Sequence, residues 1–397
     1  LSIDGEFNLE NGYVLNYTVE RVSDSAYLGD YGYSARNELS SGLNYSKVQK
    51  DRFFETSLGV NQSLYKEDRD NLTLTTNSYY DRIIDQSLIP GSLSFKSELV
   101  GSWRKGSEDI VGRDRARFGN QFIWRNSKIS KWGLEFGSGL NLSQDVFLAV
   151  DDSRLNDLEL LNSFGANTYF RLPLISKSED AIHLLEPIAQ IAWGKRKEAI
   201  VYIDESLNTE FDMGNILSIS RYSTSDQFET GFHASYGLRY KYQTNENIQG
   251  GLEIGRVLRL DEQPGFTNSS GLRDKQSDIF LAAKLSLPFD TYVSFQGLLG
   301  SKFEAKKTDF NAGIKYEAIY LDTKYSFLQS DSREYRLSPI EEWTMNAGYE
   351  INNNWRLNSN LRYDETESHL AMLGAGLSYK NQCVVVNLEM DRRYSQE

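Results

Sequence analysis

The feature that most constrains this chain is a strict alternation of apolar and polar residues that recurs along its length. From Trp343 to Ile351 the odd-numbered positions are apolar and the even-numbered positions are polar or glycine. A period of two indicates a β-strand, whose successive side chains point to opposite faces. The pattern resumes from Trp355 to Tyr363 after Asn353-Asn354, so the two segments predict a β-hairpin.

The same alternation extends to both ends of the chain. Near the start it is interrupted by Asn11-Gly12, a dipeptide typical of hairpin turns. We count roughly 20 such segments and no apolar stripe of helical period longer than a loop. The longest apolar runs, Val146 to Val150 and Ile279 to Ala283, are far shorter than the ~20 residues of a membrane-spanning helix. The sequence therefore predicts an all-β meander and excludes a helical membrane protein.

Charge and composition exclude several functional classes. The 56 acidic residues outnumber the 43 basic ones, for a net charge of -13, which makes nucleic acid an unexpected partner. Three histidines and one cysteine leave few ligands for a metal site. The histidines lie far apart and none belongs to a recognisable catalytic motif. We therefore expect no metal, no cofactor and no enzymatic activity.

Two architectures can use this alternation: a soluble sandwich or propeller, or a transmembrane barrel. Charged and amide residues recur in the polar phase, as a water-filled lumen requires. Aromatic residues lie near the ends of the apolar stripes, and short turns alternate with longer polar loops, which is typical of outer-membrane barrels. The sequence thus predicts a transmembrane antiparallel β-barrel of the outer-membrane type, with a large soluble β-protein as the alternative.

The polar phase gives a set of predicted lumen-lining residues. Each of them could contact a transported molecule or a plug, and ordinary hydration of the lumen is the alternative for each one. The predicted lumen residues are Glu135, Asn141, Lys315, Lys324, Arg356, Asn360, Arg362 and Lys380.

The predicted topology indicates whether these residues form a whole barrel. If the short turns are periplasmic, the first strand runs down into the turn at Glu10 to Gly12 and the last strand runs up from Asn381-Gln382. Both chain ends would then lie outside, whereas single-chain bacterial barrels are closed by an even number of strands with periplasmic ends. We expect residues 1–397 to form one partial barrel domain, a fragment of a larger barrel.

Four ordered segments carry a resemblance to a known family. They are residues 13–39, the Leu-Glu-Pro step at 185–187, the loop at 203–231 and residues 379–394. Together they resemble the lipopolysaccharide-assembly outer-membrane protein family, LptD. The matching positions are Asp24, Tyr27, Asp30, Tyr31, Gly32, Glu186, Pro187, Asp204, Glu205, Phe211, Asp212, Asn215 and Arg221.

The resemblance implies a barrel of about 26 strands in the outer membrane of Gram-negative bacteria. The end strands, which form a lateral gate, and a periplasmic jelly-roll domain would lie outside this sequence. The implied function is insertion of lipopolysaccharide into the outer leaflet at the cell surface. The implied partners are lipopolysaccharide, an LptE-type lipoprotein plug in the lumen, the periplasmic lipopolysaccharide bridge and outer-membrane lipids. A passive porin or solute channel shares the alternation and stays the alternative.

Three further features have two interpretations each. Cys383 is the one cysteine, and an unpaired thiol in an oxidising compartment suggests a partner elsewhere. The resemblance implies a disulfide with the periplasmic domain, and an isolated small residue is the alternative. Pro187 predicts a bulge, or else a strand that starts after it. The acidic run from Asp204 to Asp212 could bind divalent cations or form a solvated loop.

Overall fold

A computed structural model describes residues 2–22, 38–64, 72–197, 201 and 209–394. Short 3-10 turns lie at Glu10–Gly12 and Ser332–Glu334, and no helix among the described residues is long and apolar enough to cross a membrane. The strands are β1 (Ser2–Asn8), β2 (Tyr13–Glu20), β3 (Glu38–Val48), β4 (Arg52–Ser63), β5 (Leu72–Ile84), β6 (Ser92–Arg104), β7 (Asp114–Ile129), β8 (Glu135–Val150), β9 (Leu158–Arg171), β10 (Leu174–Lys177), β11 (Ala181–Arg196), β12 (Gly231–Thr244), β13 (Gln249–Arg259), β14 (Ile279–Leu287), β15 (Thr291–Leu299), β16 (Ala305–Tyr316), β17 (Ile319–Leu328), β18 (Ile340–Glu350), β19 (Trp355–Asp364), β20 (His369–Lys380) and β21 (Val385–Arg393).

These strands form one antiparallel sheet of 21 strands in which sequence neighbours pair with each other. β9 and β10 lie end to end against β11, where Arg171 pairs with Ile188 and Leu174 with Leu185. The predicted hairpin is β18 and β19, with Trp343 opposite Tyr363. The all-β fold class, the meander and the count of about 20 strands are confirmed.

The connections differ between the two ends of the sheet. At one end they are short, such as residues 49–51 and 317–318. At the other end they include the long segments 197–230, 260–278 and 329–339. This is the predicted asymmetry, and it gives the sheet a short-turn end and a long-loop end.

Alternation separates an outer face from an inner face, which we define as the face that contacts the long loops. In β8, Leu140, Leu142 and Leu148 point outward and are 41%, 53% and 39% exposed. Asp145 and Phe147 point inward and are 2% exposed. An apolar outer face on strand after strand, without a protein layer over the described residues, is what a lipid-facing surface requires.

Aromatic side chains pair across strands near both ends of the outer face. At the short-turn end, the ring centroids of Trp355 and Tyr379 are 4.8 Å apart. At the long-loop end, those of Phe164 and Trp193 are 5.6 Å apart. Such positions match the girdles that mark the two interfaces of a membrane.

Pro187 lies in the middle of β11. The pairing of β11 with β12 runs through it without a register shift, with Pro187 opposite Leu238. On the other side, the strand breaks at residues 172–173 between β9 and β10, and the Leu172 amide donates to the Pro187 carbonyl at 3.1 Å. Neither Pro187 nor Pro173, which lies in the break, has an amide proton for this ladder, so the hydrogen bonding is interrupted between β9 and β10 while the register continues. β11 contains neither the predicted bulge nor a start after Pro187.

Candidate functional site: a lumen mouth covered by loops

The described part of the long connection between β11 and β12 folds against the inner face; we call residues 209–230 the inner loop. Its Phe211 and Ile216 are 2% and 1% exposed and pack on Ile188, Val257 and Phe280, which point inward from three different strands. This cluster is apolar although the inner face is mostly polar. The three inward side chains thus form an apolar patch on the inner face, which we call the seat, and the inner loop packs on it.

The turn that presents these apolar residues is made by family-motif positions. The Asp212 carboxylate accepts from the Gly214 amide at 2.7 Å and from the Asn215 amide at 3.1 Å. The Asn215 side chain donates to the Glu210 carbonyl at 2.5 Å and accepts from the Asp212 amide at 3.2 Å. Side-chain bonds of this kind fix a turn locally. Asp212 and Asn215 thus shape the inner loop, and Phe211 anchors it.

A buried ion cluster fixes the inner loop to the wall. Arg221, in the loop, contacts Glu229 at 2.8 Å, and Arg259, on β13, contacts the same carboxylate at 2.6 Å. Burial raises the pKa of the Glu229 carboxyl, but the two guanidinium groups outweigh it and lower that pKa to about 2. Arg221 also donates to the Ile216 carbonyl at 3.0 Å. The cluster thus connects the segment around Ile216, the end of the inner loop at Glu229, and β13.

A second set of charges, on β7, β8 and β11, holds the tip of the inner loop. Ser225 donates to Asp145 of β8 at 2.8 Å, and its carbonyl accepts from Arg196 of β11 at 2.8 Å. Arg117 of β7 lies 3.6 Å from Asp145 and 2.7 Å from Glu98 of β6. The inner loop therefore extends along the inner face from β12, past β11 and β9, to β8 and β7.

Two other long loops interlock with the inner loop. The rings of Tyr222 and Phe266 stack with centroids 3.8 Å apart, which joins the inner loop to the connection at 260–278. The Asp331 carboxylate accepts from the Ser269 amide at 2.9 Å, and Arg333 donates to the Phe266 carbonyl at 3.0 Å. Burial raises the pKa of Tyr222, so its hydroxyl stays neutral. Three loops together thus cover part of the inner face at the long-loop end.

A polar cavity of about 490 Å³ lies between the inner loop and β5 to β9. Its wall includes Lys96, Gln121 and Asn141, the last of which is a predicted lumen residue. The neighbouring Asn167 donates to Gln190 at 2.7 Å, and Gln190 donates to the Ser218 carbonyl of the loop at 3.0 Å. Hydroxylated or charged groups of a ligand would find donors and acceptors here.

The predicted lumen residues share the inner phase of their strands, and most are engaged with neighbouring side chains. Glu135 accepts from the Tyr169 hydroxyl at 2.9 Å. Lys324 lies 4.0 Å from Asp309. Lys315 is exposed near the short-turn end of β16.

The remaining members lie on β19 and β20. Arg356 contacts Glu350 at 2.5 Å and Arg362 contacts Glu342 at 3.5 Å. Asn360 donates to Asp391 at 3.2 Å, and Lys380 is exposed at the end of β20. Contact of any of these residues with a transported molecule or a plug stays a prediction.

Cys383 is exposed in the turn that precedes β21, where its amide donates to the Asn381 side chain at 2.9 Å. The strand predicted to begin there starts at Val385. Because the sequence holds one cysteine, a disulfide within this chain is impossible. The disulfide with another domain stays a prediction.

Of the motif positions not yet discussed, Glu186 lies within the described residues and seven lie outside them. Glu186 points inward and contacts Arg171 at 2.8 Å and Arg239 at 3.1 Å. In the described part of the acidic run, Glu210 pairs with Lys307 at 2.7 Å, and the described residues contain no cluster suited to a metal ion. The positions outside the described residues are Asp24, Tyr27, Asp30, Tyr31, Gly32, Asp204 and Glu205.

Sequence reasoning missed the residues that hold the inner loop in place. Arg117, Asp145, Glu229 and Arg259 are buried ions whose partners lie on other strands or loops. Arg117, Asp145 and Arg259 do fall in the inner phase of β7, β8 and β13, which is a signal that alternation carries. The pairing itself has no sequence signature, because it joins segments up to 108 residues apart, as between Arg117 and Ser225.

Comparison with solved structures gives weak, low-identity matches. The copper transporter OprC has a TM-score of 0.37 and 12% identity over 87% of this chain and 63% of its own. The siderophore receptor PirA from Acinetobacter baumannii has a TM-score of 0.43 and 6% identity over 98% and 67%. The alcaligin receptor FauA from Bordetella pertussis has a TM-score of 0.40 and 10% identity over 96% and 68%. The chain thus spans about two thirds of these proteins.

Comparison with curated proteins finds no match. A family model described as LptD, LPS transport system D, matches residues 1–355. That match covers the sheet from β1 to the start of β19, including the inner loop and its seat. The chain therefore belongs to the LptD family, and its fold is that of a lipopolysaccharide-transport barrel of the bacterial outer membrane.

Proposed function

We propose that this barrel is the translocon that inserts lipopolysaccharide into the outer leaflet, with a lipoprotein plug in its lumen. The observation that carries the proposal is a polar inner face that ends under a cover of interlocked loops. Lipopolysaccharide has an anionic sugar head and several acyl tails, and transfer must keep the tails out of water and the head out of hydrocarbon. A polar lumen beside an apolar outer face provides both environments.

The covered mouth argues for sideways release of the head. Glu229 and Arg221 are buried in the cover, and breaking a buried ion pair costs about 3–5 kcal/mol. A large sugar head that left straight upward past these strands would have to break this pair and the stack of Tyr222 on Phe266. Exit through a seam between strands leaves the cover intact. An open porin would lack such a cover, which favours the translocon over a passive channel.

Depletion of the full-length protein tests this function. We expect surface lipopolysaccharide to fall and to accumulate inside the cell, because the head has no other polar route across the outer membrane. Surface labelling of lipopolysaccharide measures the loss, and assembly of an unrelated porin in the same cells is the control. Normal surface lipopolysaccharide together with reduced solute uptake would identify a channel instead.

The plug is tested by photo-crosslinking from matched neighbours on β19. Asn358 points inward, where its amide donates to Ser378 at 3.0 Å, whereas Leu357 points outward and is 48% exposed. We expect a photoreactive residue at position 358 of the full-length protein to capture the lipoprotein in cells, and one at position 357 to capture lipid. Capture of the lipoprotein from position 357, or from neither position, would contradict a plug in the lumen.

A further inference from the structure

Three amide side chains interrupt the apolar outer face of the sheet. Asn120, Gln144 and Asn162 lie side by side on β7, β8 and β9, because Asn120 pairs with Gln144 and Gln144 with Asn162. The Gln144 side chain donates to the side-chain oxygen Oδ1 of Asn162 at 3.1 Å. We call these residues the amide row. Each amide keeps further donors and acceptors that this single bond does not use.

The amide row is bordered by apolar residues on both sides along the strands. On the short-turn side lie Phe122, Leu142 and Phe164 in one register line. On the long-loop side lie Phe118 and Leu160, which are 45% and 48% exposed. At the ordinary boundary of a lipid-facing surface, apolar residues give way to polar residues and do not resume. Here apolar residues lie on both sides of the amide row.

The position of the row along the strands gives its depth. Asn120 lies nine residues before the end of β7, and Gln144 nine residues after the start of β8. A transmembrane strand needs about 9–11 residues to cross the hydrocarbon. If the hydrocarbon begins where these strands begin at the short-turn end, the row lies close to its boundary on the long-loop side, near the outer-leaflet headgroups.

Cationic side chains complete the same groove. Lys195 of β11 pairs in register with Phe164, and Lys197 follows two residues later. Together with the amide row and Phe122, Leu142 and Phe164, they line a groove of about 690 Å³. No ion pair involves Lys195 among the described residues, and Lys197 has one exposed contact with Glu159 at 3.4 Å. Exposed pairs of this kind are weak, so both ammonium groups are available to a ligand.

We propose that this groove binds one molecule of an outer-leaflet glycolipid that bears phosphate, on the outside of the barrel. Its acyl chains would lie on Phe122, Leu142 and Phe164, its sugar hydroxyls would bond the amide row, and its phosphate would meet Lys195 and Lys197. Amides at the edge of hydrocarbon are costly without partners, and hydroxyls supply them. The groove lies on the outer face, so the proposal depends on the outer-membrane location and not on transport through the lumen.

The test measures binding to the purified full-length protein with its lipoprotein partner. Rough lipopolysaccharide is the probe, titrated in detergent and followed by native mass spectrometry. We expect the double substitution Lys195→Glu and Lys197→Glu to weaken retention about tenfold. We expect a similar loss from Gln144→Leu with Asn162→Leu, which keeps the outer face apolar and the protein folded. Lys302→Glu, in the loop between β15 and β16, is the matched control and should bind normally.

Two results would overturn the proposal. Equal retention by all variants would mean that lipid covers the outer face without specific binding in the groove. Equal displacement of the probe by phosphatidylglycerol would mean that the groove binds the phosphate and does not recognise the sugar. Surface lipopolysaccharide in cells that carry the groove variants should stay normal. Loss of binding with normal transport therefore separates this site from the proposed function, and a failed transport test would leave the binding result standing.

Discussion

Replacing Glu229 with glutamine is expected to release the inner loop, at a cost of about 3–5 kcal/mol to its closed state. The Glu229 side chain is fully buried between Arg221 and Arg259. Glutamine keeps the shape but removes the charge, so two guanidinium groups remain buried and facing each other without an anion. Opening of the inner loop relieves this repulsion because it moves Arg221 into water, whereas Arg259 stays on β13.

Hydrogen exchange of residues 209–230 measures the release. A loss of about 3 kcal/mol corresponds to roughly a hundredfold faster exchange where it proceeds through loop opening. Glu253→Gln is the matched control, because Glu253 also points inward and contacts Arg239 at 2.7 Å but is 27% exposed. An exposed pair contributes about 0–1 kcal/mol. Equal exchange in both variants would show that the ion cluster does not hold the loop.

The same carboxylate gives the closed loop a pH dependence in the wild type. The pKa of Glu229 is about 2 in the folded protein and about 4.3 in an unfolded chain. A lowered carboxyl pKa stabilises the closed state above the unfolded pKa, and this contribution disappears as pH falls through the folded pKa. The protection factor of the inner-loop amides, which is the exchange rate corrected for the intrinsic effect of pH, should therefore fall between about pH 4.3 and pH 2. In Glu229→Gln this fall should be absent.

Most of the architecture follows from alternation alone. A period of two fixes strand, register and face together, because a shift by one residue would place every apolar side chain on the wrong side. Leu140 and Leu142 therefore point outward, and Glu135 and Asn141 point inward. Pro187 is the exception, because the neighbouring strand breaks at Pro173, a second proline without an amide proton. Sequence alone does not show that the two prolines lie beside each other.

The cover over the mouth could not be predicted in the same way. Motif positions such as Phe211 and Arg221 mark the segment as special, but its partners are inward residues of distant strands. An inward arginine has the same sequence signal whether it pairs with an exposed carboxylate, as Arg356 does, or with a buried carboxylate, as Arg259 does. Loops carry no periodicity to distinguish the two cases. The resemblance to LptD identified the family, whereas the function of each lumen residue depends on contacts in three dimensions.

Glycines on the inner face show how the wall makes room for the loop, and Gly194 is the clearest case. A Cβ atom at Gly194 would overlap the Glu229 carbonyl oxygen and touch the ring of Phe228 at 3.0 Å. The overlapped atom belongs to the backbone, so a side-chain rotation cannot relieve it. The whole end of the loop must move, and with it the carboxylate that Arg221 and Arg259 share.

Gly194→Ala is therefore expected to weaken the closed loop by about 1–3 kcal/mol, the usual cost of overpacking. Trypsin cleavage after Arg221 measures the effect, since this bond is buried when the loop is closed. Gly251→Ala is the matched control, because Gly251 also points inward and its nearest neighbour, the Tyr240 carbonyl oxygen, is 3.8 Å from the added Cβ. We expect faster cleavage in the first variant only. Cleavage at the wild-type rate in Gly194→Ala would mean that the loop does not depend on its close approach to β11, and that the ion cluster alone keeps it in place.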